Sequence, residues 1–172
     1  MEAGIRRIAA RRLEREAFAP YGEVVAAPAA PARRVNLGTA GRSDRVAALE
    51  STRPGAQPNT AIFRCDPQAL PFRVTMLERH PHSTQLFAAL RSGRWLVVVA
   101  PSLPHGEPDV PAARAFLCGA GEGINLARGV WHHPVLALDA PAELLMLAWE
   151  DGGPGDCEEH PLAEPFEVVA PE

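Results

Sequence analysis

The sequence predicts an all-β fold, a small barrel or sandwich preceded by a short N-terminal helix. Three observations lead there. The 14 glycines and 18 prolines are scattered as punctuation between short runs, a density that opposes long helices. The apolar runs themselves have strand length. Turn chemistry separates one from the next.

In chain order, the segment up to about Phe18 has helix-compatible composition. Strand-like runs follow at 61–63, 72–77, 86–90, 95–100, 114–117, 135–138, 144–149 and 166–169. Ser92-Gly93-Arg94 reads as a tight hairpin between the runs 86–90 and 95–100. Residues 101–111, PSLPHGEPDVP, read as an exposed loop, and 139–143, DAPAE, as a turn. Strands at this spacing close into a sandwich or a small barrel. No repeat or composition shift divides the chain, so 1–172 is expected to be one domain.

Composition narrows the function classes. Charged residues are 22% and apolar ones 47% of 172, with net charge -4. The densest basic cluster, RRIAARRLER at 6–15, reads as a solvated face, so no nucleic-acid partner is expected. The longest apolar run, WLVVVA, is far short of the roughly 20 residues that cross a bilayer, and no membrane partner is expected. Cys65, Cys118 and Cys157 form no C-x-x-C and fit free thiols in a reducing compartment. Without a visible signal peptide the expected location is cytoplasmic.

The stretch MLERHPHSTQLF, 76–87, concentrates the chemistry. Strand alternation puts Glu78 and His80 on one face and Arg79 on the other, and Pro81 then interrupts the ladder. Glu78, His80, Gln85 and Gly93 follow E-x-H-x4-Q-x7-G, which resembles the first motif of the cupin superfamily. The second cupin motif is matched by Gly121 and by Ala127 to His132, with Ala127 where proline is usual. The alignment nominates Glu78, His80, Gln85 and His132 as an inward-facing metal set and leaves His82 and His133 as neighbours. Such donors suit a divalent ion such as Zn, Ni or Mn. Neutral Gln85 in place of a carboxylate weakens the set, so a metal-free site is the other reading. Cys118 reads as a small buried apolar residue, and Asp156-Cys157-Glu158-Glu159 as a solvated acidic turn.

A more specific resemblance covers about 18–158. LERHP at 77–81, Gln85 with Phe87, VVVA at 97–100, RAF at 114–116 and GVWHHP at 129–134 resemble the ureidoglycolate lyase family. FAPYGEV at 18–24, Asn36 with Gly38, and IFR at 62–64 match its N-terminal half in the same order. The resemblance implies a homodimeric cupin-like double-stranded β-helix that splits ureidoglycolate into glyoxylate and urea. That is a carbon–nitrogen lyase of amidine-lyase type, acting late in purine (allantoin) catabolism.

The implied substrate is a carbinolamide, so cleavage needs a base for its hydroxyl proton, an acid for the departing nitrogen, and a clamp for its carboxylate. His132 or Glu78 would be the base, and His80 a ligand or the acid. Asn36, Gln85 and Asn125, with Arg79 and His133, are the substrate-binding candidates. The chain departs from the family pattern near the site. Leu126 and Ala127 replace an aromatic and a basic residue, and Asp151 stands where arginine is usual. Those changes keep two alternatives in view, an enzyme on another small carboxylic acid and a non-catalytic metabolite-binding cupin. Glu78, His80 and His132 together speak against the second, since a pure binder needs no acid–base set.

Overall fold

The computed structural model describes residues 5–30 and 32–171. Thirteen strands carry the fold: β1 (Arg7–Arg12), β2 (Gly22–Val25), β3 (Arg33–Val35), β4 (Ala40–Arg42), β5 (Gln57–Cys65), β6 (Phe72–Arg79) and β7 (Gln85–Arg91), then β8 (Trp95–Ala100), β9 (Arg114–Cys118), β10 (Gly123–Leu126), β11 (Trp131–Ala137), β12 (Ala142–Glu150) and β13 (Glu158–Val169). A single helical turn, α1 (Arg15–Phe18), lies between β1 and β2.

Six strands close into a barrel in the order β1-β13-β6-β11-β8-β9. Five form a second sheet, β2-β10-β7-β12-β5, and β3 with β4 makes a separate hairpin. The fold is all-β, with a closed barrel and little helix. Two apolar clusters follow from strand alternation. Val97, Val99 and Phe116 of the barrel pack with Phe87, Ile124 and Leu144 of the second sheet. The alternate residues Leu96, Val98 and Ala115 pack with Val74, Phe166 and Val168, all from barrel strands. This is why β8 is a continuous apolar run: all six of its residues are buried, having core on both faces. Burying each large side chain there contributes roughly 1.5–3 kcal/mol.

Two local expectations need correction. Residues 7–12 form a strand rather than helix, paired in parallel with β13 through Arg7↔Glu167 and with β9 through Ala10↔Ala115. Ala10 is buried and its neighbours Ala9 and Arg11 are exposed, so barrel closure overrides a helix-compatible composition. The 92–94 turn also joins no hairpin. β7 pairs with β10 and β12, whereas β8 pairs with β11 and β9, so the turn passes the chain between sheets. The Arg94 guanidinium holds it against Asp139 at 2.6 and 2.7 Å. Those bonds keep the Asp139 carboxyl at about 2.

Candidate active site

Glu78 and His132 are register partners on β6 and β11, so both side chains project from the same face of the barrel wall. In the neighbouring pair, His132 lies opposite Val99, which belongs to the core between barrel and second sheet. The site therefore lies beside that core. His80 follows directly after β6, and its ring stacks on His132 with centroids 5.5 Å apart and planes 27° from parallel. Ligand atoms of Glu78, His80 and His132 all lie within 4.8 Å of one another. Gln85 begins β7, is buried, and pairs in register with Leu126 and Ala148, both core residues.

Second contacts fix each ring. His80 Nδ1 lies 2.8 Å from the carbonyl of Asp156, and His132 Nδ1 lies 3.0 Å from that of Val130. A carbonyl only accepts, so both Nδ1 atoms carry a proton, and in the neutral ring Nε2 presents a lone pair. Neither Nε2 has a hydrogen-bond partner, and neither does Gln85 Oε1; all three atoms are buried. An unsatisfied buried polar atom costs roughly 1–3 kcal/mol. Two such atoms beside a carboxylate fit a divalent cation. Imidazoles whose far nitrogens are held by backbone carbonyls are the usual form for that role.

The electrostatics agree. Burial pushes the Glu78 carboxyl up, but the charge of the nearby His132, with His80 beyond and the Cys157 thiol donating, outweighs it and leaves the group below its ordinary value. His80 is pushed down by burial and by the neighbouring His132, which favours the neutral ring. Glu78 Oε1 is 3.4 Å from His132 Nε2, and Oε2 accepts from the Cys157 thiol at 3.8 Å. Burial, then Glu78 and Glu159, push that thiol up to about 12, so it remains a donor.

The other nominated residues are elsewhere. Arg79, on the opposite face of β6, stacks 4.5 Å over the Trp131 ring and bonds Glu158 and the Gly106 carbonyl at 2.7 and 2.9 Å. Asn125 is fully buried and donates to Glu23 and to the Ala48 carbonyl, each at 2.8 Å, facing away from the core side of β10. His133 sits edge-on to Phe72 at 5.3 Å, with Nδ1 2.7 Å from the Pro134 carbonyl. Asn36 is exposed in a 3-10 turn between β3 and β4. No hydrogen bond joins any of these four to Glu78, His80 or His132. His82 lies in an exposed turn against Thr52. Cys118 is a fully buried core residue.

The segment 156–159 is not simply a solvated turn. Asp156 holds His80 through its carbonyl and Arg53 through its carboxylate, Cys157 reaches Glu78, and Glu158 opens β13. Asp151 does not leave its surroundings without a cation either, because Arg53 Nη1 lies 2.7 Å from its carboxylate. Arg53, Asp156 and Cys157 escaped sequence reasoning because no spacing links them to the histidine motifs.

Comparison with known proteins identifies the family. The family model described as ureidoglycolate lyase matches residues 5–169. A ureidoglycolate lyase of Burkholderia cepacia is 43% identical over 153 residues, which is 88% of this chain and 84% of that protein. Ureidoglycolate lyase 1 of Rhizobium meliloti (strain 1021) is 39% identical over 161 residues, 92% of this chain and 91% of the relative. A ureidoglycolate lyase of Pseudomonas fluorescens is 37% identical over 157 residues, covering 91% and 92%. With the family match spanning nearly the whole chain, this protein belongs to the ureidoglycolate lyase family.

Proposed function

We propose that the chain is a ureidoglycolate lyase, of amidine-lyase type, releasing glyoxylate and urea late in allantoin degradation in the cytoplasm. The observation that carries the reading is the pair of unpartnered, buried imidazole Nε2 atoms beside Glu78, in a member of this family.

Cleavage moves one proton from the carbinol hydroxyl to the departing urea nitrogen while the carbinol C–O becomes a carbonyl and the C–N bond breaks. Glu78 is suited to carry that proton. Its low value keeps it ionised near neutral pH, and its side chain is 20% exposed, within reach of an entering molecule. The protonated carboxyl then returns the proton to nitrogen, so the group ends as it began. His80, with Nδ1–H committed to Asp156, offers Nε2 only as a lone pair and serves as a holding group rather than the acid. Glu78, His80 and His132, with Gln85, would hold a divalent ion; when bound it supplies positive charge for the substrate carboxylate and lowers the hydroxyl pKa.

The homodimer belongs to the same proposal. It is supported by an apolar outer face on the second sheet, where Ile62 and Leu90 are exposed. The deciding experiment gives purified protein racemic ureidoglycolate and follows urea and glyoxylate, with added Zn, Ni or Mn and after chelation. Release well above the spontaneous rate in at least one condition is expected. Its absence in all of them overturns the reading.

A further inference from the structure

Arg53 lies outside the cluster yet is tied to it from two directions. Its side chain is 18% exposed, and Nη1 sits 2.7 Å from both Asp156 Oδ1 and Asp151 Oδ1. Asp156 also accepts from the backbone amides of Asp151 at 3.2 Å and Gly152 at 2.8 Å, so its carboxylate is the hub of the 151–156 loop. The carbonyl of the same residue is the partner of His80 Nδ1. Loop and guanidinium approach closely enough that a Cβ on Gly155 would collide with Arg53.

The other end of the connection is equally fixed. Thr52 N donates to the His82 carbonyl at 2.9 Å, Thr84 N donates to the Glu50 carbonyl at 3.1 Å, and Ser51 bridges Ser83. The backbone that carries Arg53 is thus stitched to the turn directly after His80. The guanidinium grips the loop that holds the His80 ring.

We propose that Arg53 is a positioning residue for His80. By holding Asp156 it keeps that carbonyl on Nδ1, and so keeps Nε2 a lone pair directed at the site. The inference takes His80 to be a working group of the proposed lyase site, but its test does not depend on turnover. Holding partners of this kind typically change metal affinity by about 10–100-fold when removed.

The ring nitrogens of His80 and His132 report on it directly, because His132 is held by Val130 and has no link to Arg53. Long-range proton–nitrogen spectra would be recorded on metal-free, histidine-labelled protein, above the ordinary histidine titration range. The wild type is expected to show both rings in the Nδ1–H form. R53A is expected to give a tautomer mixture at His80 alone, with divalent affinity down about tenfold or more, and R53K to recover most of the Nδ1–H population. His80 unchanged in R53A overturns the proposal, as does equal movement of His132, which would mark general loosening. If R53A fails to fold, R53Q takes its place, with the same mixture expected and the same unchanged spectrum overturning the idea. Absence of ureidoglycolate turnover in the wild type would overturn the proposed activity and leave this spectrum to decide on Arg53.

Discussion

Glu78 is the one anion among the three converging groups, and Gln keeps its shape and one oxygen while removing the proton acceptor. E78Q is therefore expected to lower kcat by about a hundredfold or more while binding divalent ions better than H80A or H132A does. Turnover within about tenfold of wild type would correspond to less than about 1.4 kcal/mol of barrier and would remove Glu78 from proton transfer. Burial gives a second residue-level expectation. It pushes both His80 and His133 below the ordinary value of 6.5. The unfolded chain then takes up protons first as the pH falls, so their contribution to stability is full above about pH 6.5 and is lost below it. The thermal midpoint should decline between pH 7 and pH 5, and less steeply in H133Q. An identical slope in that variant would show that His133 has no part in it. Spacing in the sequence pointed to Glu78, His80, Gln85 and His132 because motif offsets encode which strand face a residue occupies. Arg53 and Cys157 left no such mark, since they reach the site from irregular segments through tertiary contact.

At the level of elements, sequence pattern located strands better than it located their partners. The run 95–100 is apolar throughout and was legible as β8, but its neighbours β11 and β9 lie far along the chain. Adjacency in sequence suggested a β7–β8 hairpin, while the need to cover both faces of β8 divides the two strands between sheets. β1 was hidden for a related reason: its parallel pairing with β13 spans Arg7 to Glu167, and no local period records such a contact. β10 was missed because it is short and carries Gly123, a poor strand former. The structure gives that glycine a purpose. A Cβ there would lie 2.5 Å from the Phe87 carbonyl oxygen and 3.2 Å from the Ala88 Cα, both backbone atoms of β7. G123A should therefore force the strands apart and cost about 1–3 kcal/mol, read as a lower midpoint in thermal or urea unfolding. An unchanged midpoint would mean that β10 and β7 tolerate a wider separation.

At the scale of the whole molecule, the outer face of the second sheet is covered only in part, where Ala48 bonds Glu23 and Asn125 over β2 and β10. The sheet's inner residues, among them Phe87, Leu144 and Met146, complete the core, while the alternate positions Leu86, Leu145 and Leu147 are only half-buried. Ile62 on the edge strand β5 is 52% exposed and Leu90 on β7 is 58% exposed. An apolar sheet face of this kind is an association surface more often than a solvated one. Its size is suitable: the three strands β7, β12 and β5, spaced by about 4.8 Å with rows of up to nine residues at about 3.3 Å each, span a few hundred Å². A stable dimer needs roughly 800 Å² per partner, which the rim of the face can complete. The wild type is accordingly expected to sediment at about twice its 18.4 kDa mass. I62E combined with L90E should give a folded monomer, since both side chains are solvent-facing and their replacement removes nothing from the core. A wild type that sediments as a monomer at micromolar concentration would sink the proposed homodimer. A double variant that stays dimeric would instead move the interface to another face of the barrel.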